Sequence, residues 1–369
     1  MNDLFSPIFV PDELRDATSG RAWLAAMLAA ERALADARGL DGVADACDPA
    51  LYDLDAIARE GRAAGNPVEP LVRALRERSG VAEAHVGATS QDVLDTAAML
   101  VARDARELIR AETAAAAAAC AGLADAHRAT VMAGRTLLQQ AVPITFGLKA
   151  ATWLDALADA DELLAAWRPT AQLGGAAGTL AVLGDGGVDV LRAFAAELEL
   201  DEPAVPWHAT RGPVRGLVAA LVALAGACAK IALDVLLLTQ TEVGEVRVGD
   251  GRSSTMPHKR NPVPAVLARA CARRVEALAA TFTGEHEHER AAGAWHAEWE
   301  ALADALALTG AAAAHVRRTL ETLEVDAERM RANLLAETTS EAGGTVAPED
   351  YLGAASAFVD RALARRGGA

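Results

Sequence analysis

Aromatic residues are the scarcest class in this chain, with six Phe, six Trp and two Tyr in 369 residues, or 4%. A β sandwich or barrel fills its interior with aromatic and β-branched side chains. That architecture is therefore excluded in favour of close-packed Ala, Leu and Val helices, which a hydrophobic content of 52% can build. Cysteine is also sparse. Cys47, Cys120, Cys228 and Cys271 lie far apart without a Cys-x-x-Cys pair, and three fall within Ala/Leu-rich stretches. They read as small buried hydrophobes in a reducing cytoplasm rather than as a disulfide framework or metal site. Positive charge is outnumbered, 35 Lys and Arg against 51 Asp and Glu, for a net charge of −16. No Lys/Arg-rich run interrupts it, so a nucleic-acid surface is excluded and the acidity serves solubility. Met1 to Phe5 carries neither the basic nor the apolar region of a signal peptide. The most apolar run, Gly216 to Ala229, is bounded by Arg215 and Lys230 and is too short to span a bilayer. It is expected to form a helix buried on all sides, with no membrane partner.

What is present is helical periodicity. Leu24, Met27, Leu28 and Leu34 share one helix face within residues 11–39, and Gly39 stops the pattern. A second helical stretch near Pro49–Ala64 breaks at Gly65-Asn66-Pro67, and a third near Val68–Arg78 ends at Ser79-Gly80. Thr89 followed by Asp92 has capping-box spacing and opens a long alanine-rich helix to about Ala126. Pro143 is expected to start a helix reaching about Trp167. Gly174-Gly175-Ala176-Ala177-Gly178-Thr179 follows no strand and lacks a Gly-Lys-Ser/Thr end, so it is expected to allow close helix packing rather than to cradle phosphate. His286 and His288 alternate with Glu285, Glu287 and Glu289. On a helix that spacing points the histidines apart, so a solvated turn is expected and no metal site. Another long helix should follow Gly293 and end near Leu323, with a last one near Tyr351–Arg365.

The stretch richest in chemistry runs from Gly249 to Pro262, Gly-Asp-Gly-Arg-Ser-Ser-Thr-Met-Pro-His-Lys-Arg-Asn-Pro. Its glycines and paired serines make a loop with little side chain to pack. Asn261 stands at an N-cap position and Pro262 at the first helical position of the next segment. Lys259 and the free N–H groups of that helix end put positive potential beside two hydroxyls, which suits an anion or a transition state that becomes one.

In residue order the loop resembles the Gly-Ser-Ser-x-x-Met-Pro-x-Lys-x-Asn-Pro signature of the fumarase/aspartase superfamily. The ten residues Ser253 to Pro262 match without a gap; Arg252 separates the glycine from the serines, and a single residue precedes Met256. Two further stretches carry the resemblance: His85-Val86-Gly87-Ala88-Thr89-Ser90-Gln91-Asp92, and Gly134-Arg135-Thr136-Leu137-Leu138-Gln139-Gln140. It spans most of residues 10–335.

The resemblance implies an all-α fold, an elongated multi-helix bundle with a small helical N-terminal domain (1–92), a central long-helix domain (93–328) and a truncated C-terminal segment (329–369). It implies a homotetramer with shared active sites, a small tricarboxylate substrate, and no cofactor or metal. By the same resemblance Ser253, Lys259 and Asn261 are catalytic. Ser253 exchanges a proton alpha to a carboxylate, and Lys259 and Asn261 hold the enolate-like intermediate. Thr89, Ser90 and Gln91 meet substrate carboxylate, with His85 nearby. Arg135, Thr136, Gln139, Gln140, Arg211, Ser254, Met256 and His258 complete the expected substrate-binding set. Fumarases and the argininosuccinate and adenylosuccinate lyases carry an acid histidine where this chain has Leu137, and a second histidine where it has Gln140. An amine or hydroxide leaving group needs a proton, and a positioned acid is worth roughly 10²–10⁴-fold. A departing carboxylate needs none. Leu137 therefore points to the cycloisomerase branch, which opens and closes a lactone in aromatic-compound catabolism, ahead of an adenylosuccinate- or argininosuccinate-type lyase or a non-catalytic helical assembly.

Overall fold

The computed structural model describes residues 4–249, 260–284, 286–335, 338–339 and 343–367. In chain order the elements are α1 (Ser6–Phe9), α2 (Asp12–Ala17), α3 (Gly20–Ala37), α4 (Leu54–Ala64), α5 (Val68–Ser79) and α6 (Ser90–Ala126). Then come β1 (Val131–Thr136), β2 (Gln139–Thr145), α7 (Phe146–Ala166), α8 (Gly187–Glu197), α9 (Gly212–Leu238), β3 (Val246–Val248) and α10 (Val263–Ala279). The chain closes with α11 (Ala294–Glu321), β4 (Leu323–Val325), α12 (Ala327–Asn333), β5 (Thr338–Thr339), β6 (Thr345–Val346) and α13 (Ala355–Gly367). The strands pair only as two-stranded antiparallel ribbons, β1–β2, β3–β4 and β5–β6. The fold is all-α.

Two compact units emerge, and neither is continuous in sequence. The first comprises Met1–Leu108, Ala166–Ala219 and Ala277–Ala307, and the second Ile109–Ala165, Ala220–Glu276 and Leu308–Ala369. In the first, Ser19 caps α3 by accepting from the Ala22 N–H, and Asp53 caps α4 through the Asp55 and Ala56 N–H groups. Gly65 and Gly80 end α4 and α5 in left-handed conformation, as their places in the sequence suggest. The core is aliphatic, with Leu24, Leu28, Leu34, Leu71 and Leu75 fully buried. In the second unit Ile109, Ala116, Leu221, Leu224, Ile231 and Val235 pack the interior. Phe146 adds edge-to-face contacts with His127 and Trp153, at centroid distances of 5.5 and 5.7 Å. Gly147 has no room for a side chain: a Cβ there would lie 2.6 Å from the Ala124 carbonyl oxygen. Cys120, Cys228 and Cys271 are free and buried, and burial pushes each thiol up to about 12.

Four expectations are corrected. Pro143 opens no helix; it sits in β2 opposite Ala133, and the true cap of α7 is Thr145, whose hydroxyl accepts from the Leu148 N–H at 3.1 Å. The helix after the signature loop begins at Val263, so Pro262 rather than Asn261 occupies its cap position, with the Pro262 carbonyl accepting from Val266 at 3.1 Å. The apolar run extends past Lys230 into a 27-residue α9, the one described helix long and apolar enough to cross a membrane, and half of that stretch is buried within the chain. It is not buried all round. Leu221, Leu224 and Cys228 are covered, whereas Val222, Ala223, Leu233, Leu236 and Leu237 stay half-exposed. Finally, His286 does not sit in a solvated turn: its side chain is fully buried, with Nε2 3.3 Å from Glu298 Oε1.

The β1–β2 hairpin turns on two residues only, because Thr136 pairs with Gln139. Leu137 and Leu138 both take positive φ, 51° and 66°, as a tight hairpin of this hand requires. Leucine pays roughly 1–3 kcal/mol for such a conformation, and the two side chains are 95% and 75% exposed. Replacing the pair with Asn-Gly, the residues this turn favours, is expected to raise the thermal midpoint of the purified protein. An unchanged or lower midpoint would show that the leucines stabilise the fold.

Candidate functional site

The first signature stretch is organised by one carboxylate. Asp92, in the first turn of α6, is 1% exposed. Its Oδ2 accepts from the Thr89 N–H at 2.9 Å and the Gly175 N–H at 2.8 Å, and its Oδ1 from the Gly174 N–H at 3.0 Å. His208 Nε2 lies 2.6 Å from the same Oδ1. The glycine-rich turn thus serves close approach, to the first turn of α6 through Asp92. A Cβ on Gly174 would fall 2.7 Å from His208 Cε1. Gln172 extends the arrangement by accepting from the Trp207 N–H at 3.0 Å and exchanging two 3.0 Å bonds with Thr96.

One turn further along α6 lies an ionic cluster. Arg211, 2% exposed, donates to Asp95 at 2.6 and 3.0 Å, to Glu298 through Nε at 3.1 Å, and to Glu298 again through its terminal nitrogen. Burial lowers the guanidinium pKa, but Asp95 and Glu298 outweigh burial and raise it. Trp295 Nε1 and Gln91 Nε2 also donate to Asp95, at 3.0 and 3.1 Å. Arg290 reaches Gln91 Oε1 at 3.1 Å and the carbonyls of Gly175 and Ala176 at 2.8 and 2.7 Å. Two residues expected to meet substrate are therefore occupied by protein partners. Arg211 is held by two carboxylates, and both ends of the Gln91 amide are bonded.

Thr89 and Ser90 differ. Both are half-buried at the N-terminus of a 37-residue helix, and among the described residues nothing bonds their hydroxyls. Hydroxyls without partners beside helix N–H groups of the first turn are a chemistry that suits an anion. His85, just upstream, takes φ 68° and holds Glu31 Oε1 with Nδ1 at 2.6 Å. Burial disfavours its charged form, but the Glu31 carboxylate overrides that and raises the His85 pKa.

In the second unit, Arg135 donates to both oxygens of fully buried Glu245, at 2.9 and 2.5 Å. Asn333 donates to the same carboxylate at 2.9 Å and to the Val243 carbonyl at 2.7 Å, and Gln140 Nε2 donates to the Asn333 carbonyl at 2.7 Å. Arg135 and Gln140 thereby tie the hairpin to α12, while Thr136 and Gln139 are exposed beside the leucine tip. Asn261 is half-buried ahead of α10. Ser253, Ser254, Met256, His258 and Lys259 lie outside the described residues. Among the described residues no cluster of His, Cys, Asp and Glu could hold a metal ion. Sequence reasoning did not single out Asp95, Glu298, Arg290 or Glu31. The one available signal was i, i+3 spacing from Asp92 to Asp95 on a helix face that is otherwise apolar.

The long-helix, all-α architecture is that of the fumarase/aspartase type. A family described as lyase matches residues 25–276, and the chain belongs to it. A nitrosuccinate lyase of Streptomyces davaonensis is 45% identical across 98% of this chain and 82% of that protein. A 3-carboxy-cis,cis-muconate cycloisomerase of Bradyrhizobium diazoefficiens is 43% identical across 90% of this chain and 79% of its own length. Among solved structures, the 3-carboxy-cis,cis-muconate lactonizing enzyme of Pseudomonas putida superposes with a TM-score of 0.92 at 34% identity, covering 100% of this chain and 99% of that one.

Asp92→Asn keeps the shape but turns an NH₂ toward N–H donors in a buried site. It is expected to cost several kcal/mol, since each buried donor left without its acceptor costs about 1–3 kcal/mol, read from denaturant unfolding. A loss below about 1 kcal/mol would remove Asp92 from its organising place. The raised His85 pKa gives a pH signature. Its stabilisation is fully present below the ordinary value of 6.5 and is lost as pH rises through the higher folded-state value. Thermal midpoints across that range should fall in the native chain and flatten in Glu31→Gln; parallel profiles would count against the pair.

Proposed function

We propose that the chain is a cofactor-independent cycloisomerase interconverting 3-carboxy-cis,cis-muconate and 4-carboxymuconolactone. The observation that carries this reading is Leu137 at the hairpin tip, where lyases that must protonate a leaving group carry histidine. In the closing direction a substrate carboxylate oxygen bonds to one end of the conjugated diene. The electron pair moves into the neighbouring carboxylate-bearing system to give an enolate-like dianion, and Ser253 delivers a proton to the alpha carbon. In reverse, Ser253 removes that proton and the lactone C–O bond breaks, releasing a carboxylate that needs no acid. Lys259, with Asn261 beside the start of α10, holds the extra charge. Stabilising charge as it develops usually contributes more to such catalysis than any other effect.

Thr89 and Ser90 take a substrate carboxylate at the helix end, with His85 presented beside them. Thr136, Gln139, Ser254, Met256 and His258 complete the surroundings of the substrate. Gln91, Arg135, Gln140 and Arg211 act as positioning residues through their protein partners. The half-exposed apolar face of α9 supports a homotetramer whose active sites draw on several subunits. The four free thiols fit a cytoplasmic setting.

The Streptomyces relative favours a second reading, elimination of nitrite from nitrosuccinate. Nitrite is also a weakly basic leaving group, so Leu137 suits it as well. Two assays separate the readings, loss of diene absorbance from 3-carboxy-cis,cis-muconate and nitrite release from nitrosuccinate. The first should proceed and the second should not. Nitrite release alone would transfer the assignment. Turnover of adenylosuccinate or argininosuccinate instead would refute both. Ser253→Ala should reduce turnover by at least about 10³-fold, the scale of a lost acid–base group, with oligomeric state unchanged by size-exclusion chromatography. Near-native activity would displace Ser253 from its role.

A further inference from the structure

The second unit contains a cavity of about 580 Å³ that the proposed chemistry leaves unused, lined among others by Thr239, Thr241, Arg247, Arg260, Asp326 and Arg329. Three guanidinium groups meet one carboxylate there, in a chain whose net charge is −16. Such a concentration runs against the composition. Asp326 is committed to Arg247 at 3.1 Å and to capping α12 through the Arg329 N–H at 2.9 Å. The Arg329 side chain donates to the Val243 and Glu242 carbonyls, both at 3.0 Å. Those bonds fix the guanidinium in place without neutralising it. Arg260 has no ion-pair or hydrogen-bond partner among the described residues. Two of the three charges, Arg260 ahead of α10 and Arg329 on α12, thus remain uncompensated. Thr239 donates its hydroxyl to the Leu236 carbonyl at 3.0 Å and keeps its lone pairs, while the Thr241 hydroxyl has no partner among the described residues.

We propose that this cavity is an anion site in its own right, taking a small polyanion, either a di- or tricarboxylate or inorganic phosphate. Guanidinium groups engage paired anionic oxygens of carboxylate and phosphate alike, through charge-assisted hydrogen bonds. A neutral ligand would leave the two charges uncompensated. The assignment does not depend on which reaction the chain performs.

Isothermal titration of the full-length protein at low ionic strength, with inorganic phosphate and separately with tricarballylate as probes, tests it. Saturable binding of at least one probe is expected. Phosphate alone identifies a phosphate site, and tricarballylate alone a carboxylate site. Arg260→Gln and Arg329→Gln should each weaken that binding by roughly five- to tenfold, the scale of one lost charge-assisted contact, and the double variant should abolish it. Arg260→Gln should keep the native thermal midpoint, which separates loss of binding from loss of fold. Ser253→Ala, which tests the reaction, should bind phosphate or tricarballylate as the native chain does. The proposal fails if neither probe binds, if binding survives the double variant, or if Ser253→Ala abolishes it.

Discussion

The first unit depends on a buried carboxylate that is fully supplied with donors. Asp92 gathers three backbone N–H groups and the His208 ring within hydrogen-bonding distance while almost wholly removed from solvent. Burying a carboxylate without hydrogen-bond partners costs several kcal/mol of desolvation. Four donors arranged around it offset that cost. In consequence the N-terminus of α6, the glycine-rich turn and the Trp207-His208 segment have one mutual arrangement. Thr89, whose own N–H donates to Asp92, and Ser90 beside it are placed by that arrangement.

The ionic cluster around Arg211 divides labour in the same way. Asp95 and Glu298 leave the guanidinium no spare charge for a ligand, and Trp207 stacks against it at 5.0 Å. Buried ion pairs of this kind contribute little net stability compared with apolar packing, but removing one partner is costly. They fix geometry. The same holds for Arg135, whose bidentate bond to Glu245 is completed by Asn333. In both units, then, arginines that look from sequence like carboxylate clamps grip internal carboxylates. The hydroxyls near them stay available.

Local signals were legible wherever a backbone position has few solutions. Gly65 and Gly80 end helices because left-handed residues are needed there, and Thr89 with Asp92 marks the start of a 37-residue helix. The hairpin was not legible. Pro143 carries a helix-start signal that a ribbon position opposite Ala133 satisfies equally, since proline lacks only the N–H. Nor do two leucines advertise a tight turn, a role normally filled by Asn and Gly. His286 is buried beside Glu298, twelve positions later and on another element, and no local pattern encodes that. Of the site, the hydroxyl-bearing helix start could be read from residue order. The carboxylates that position it could not, because each acts through partners distant in sequence, such as Asp92 with His208.

The leucine tip ties this strain to the proposed chemistry. A turn selected for stability alone would not hold two leucines at positive φ and expose both to water, since the backbone strain and the exposure both oppose folding. Their retention is consistent with use of the tip in a complex or a filled site, where apolar surface would gain from being covered. A leucine at this tip cannot donate a proton, so under the proposed reading it offers no acid to a departing group. Carboxylate and nitrite leave without one, while amine and hydroxide do not. Under that reading the hairpin bears on the leaving group and not on the substrate. What distinguishes a lactone from a nitro acid must lie in the groups that recognise the rest of the molecule, beginning with the free hydroxyls at the head of α6.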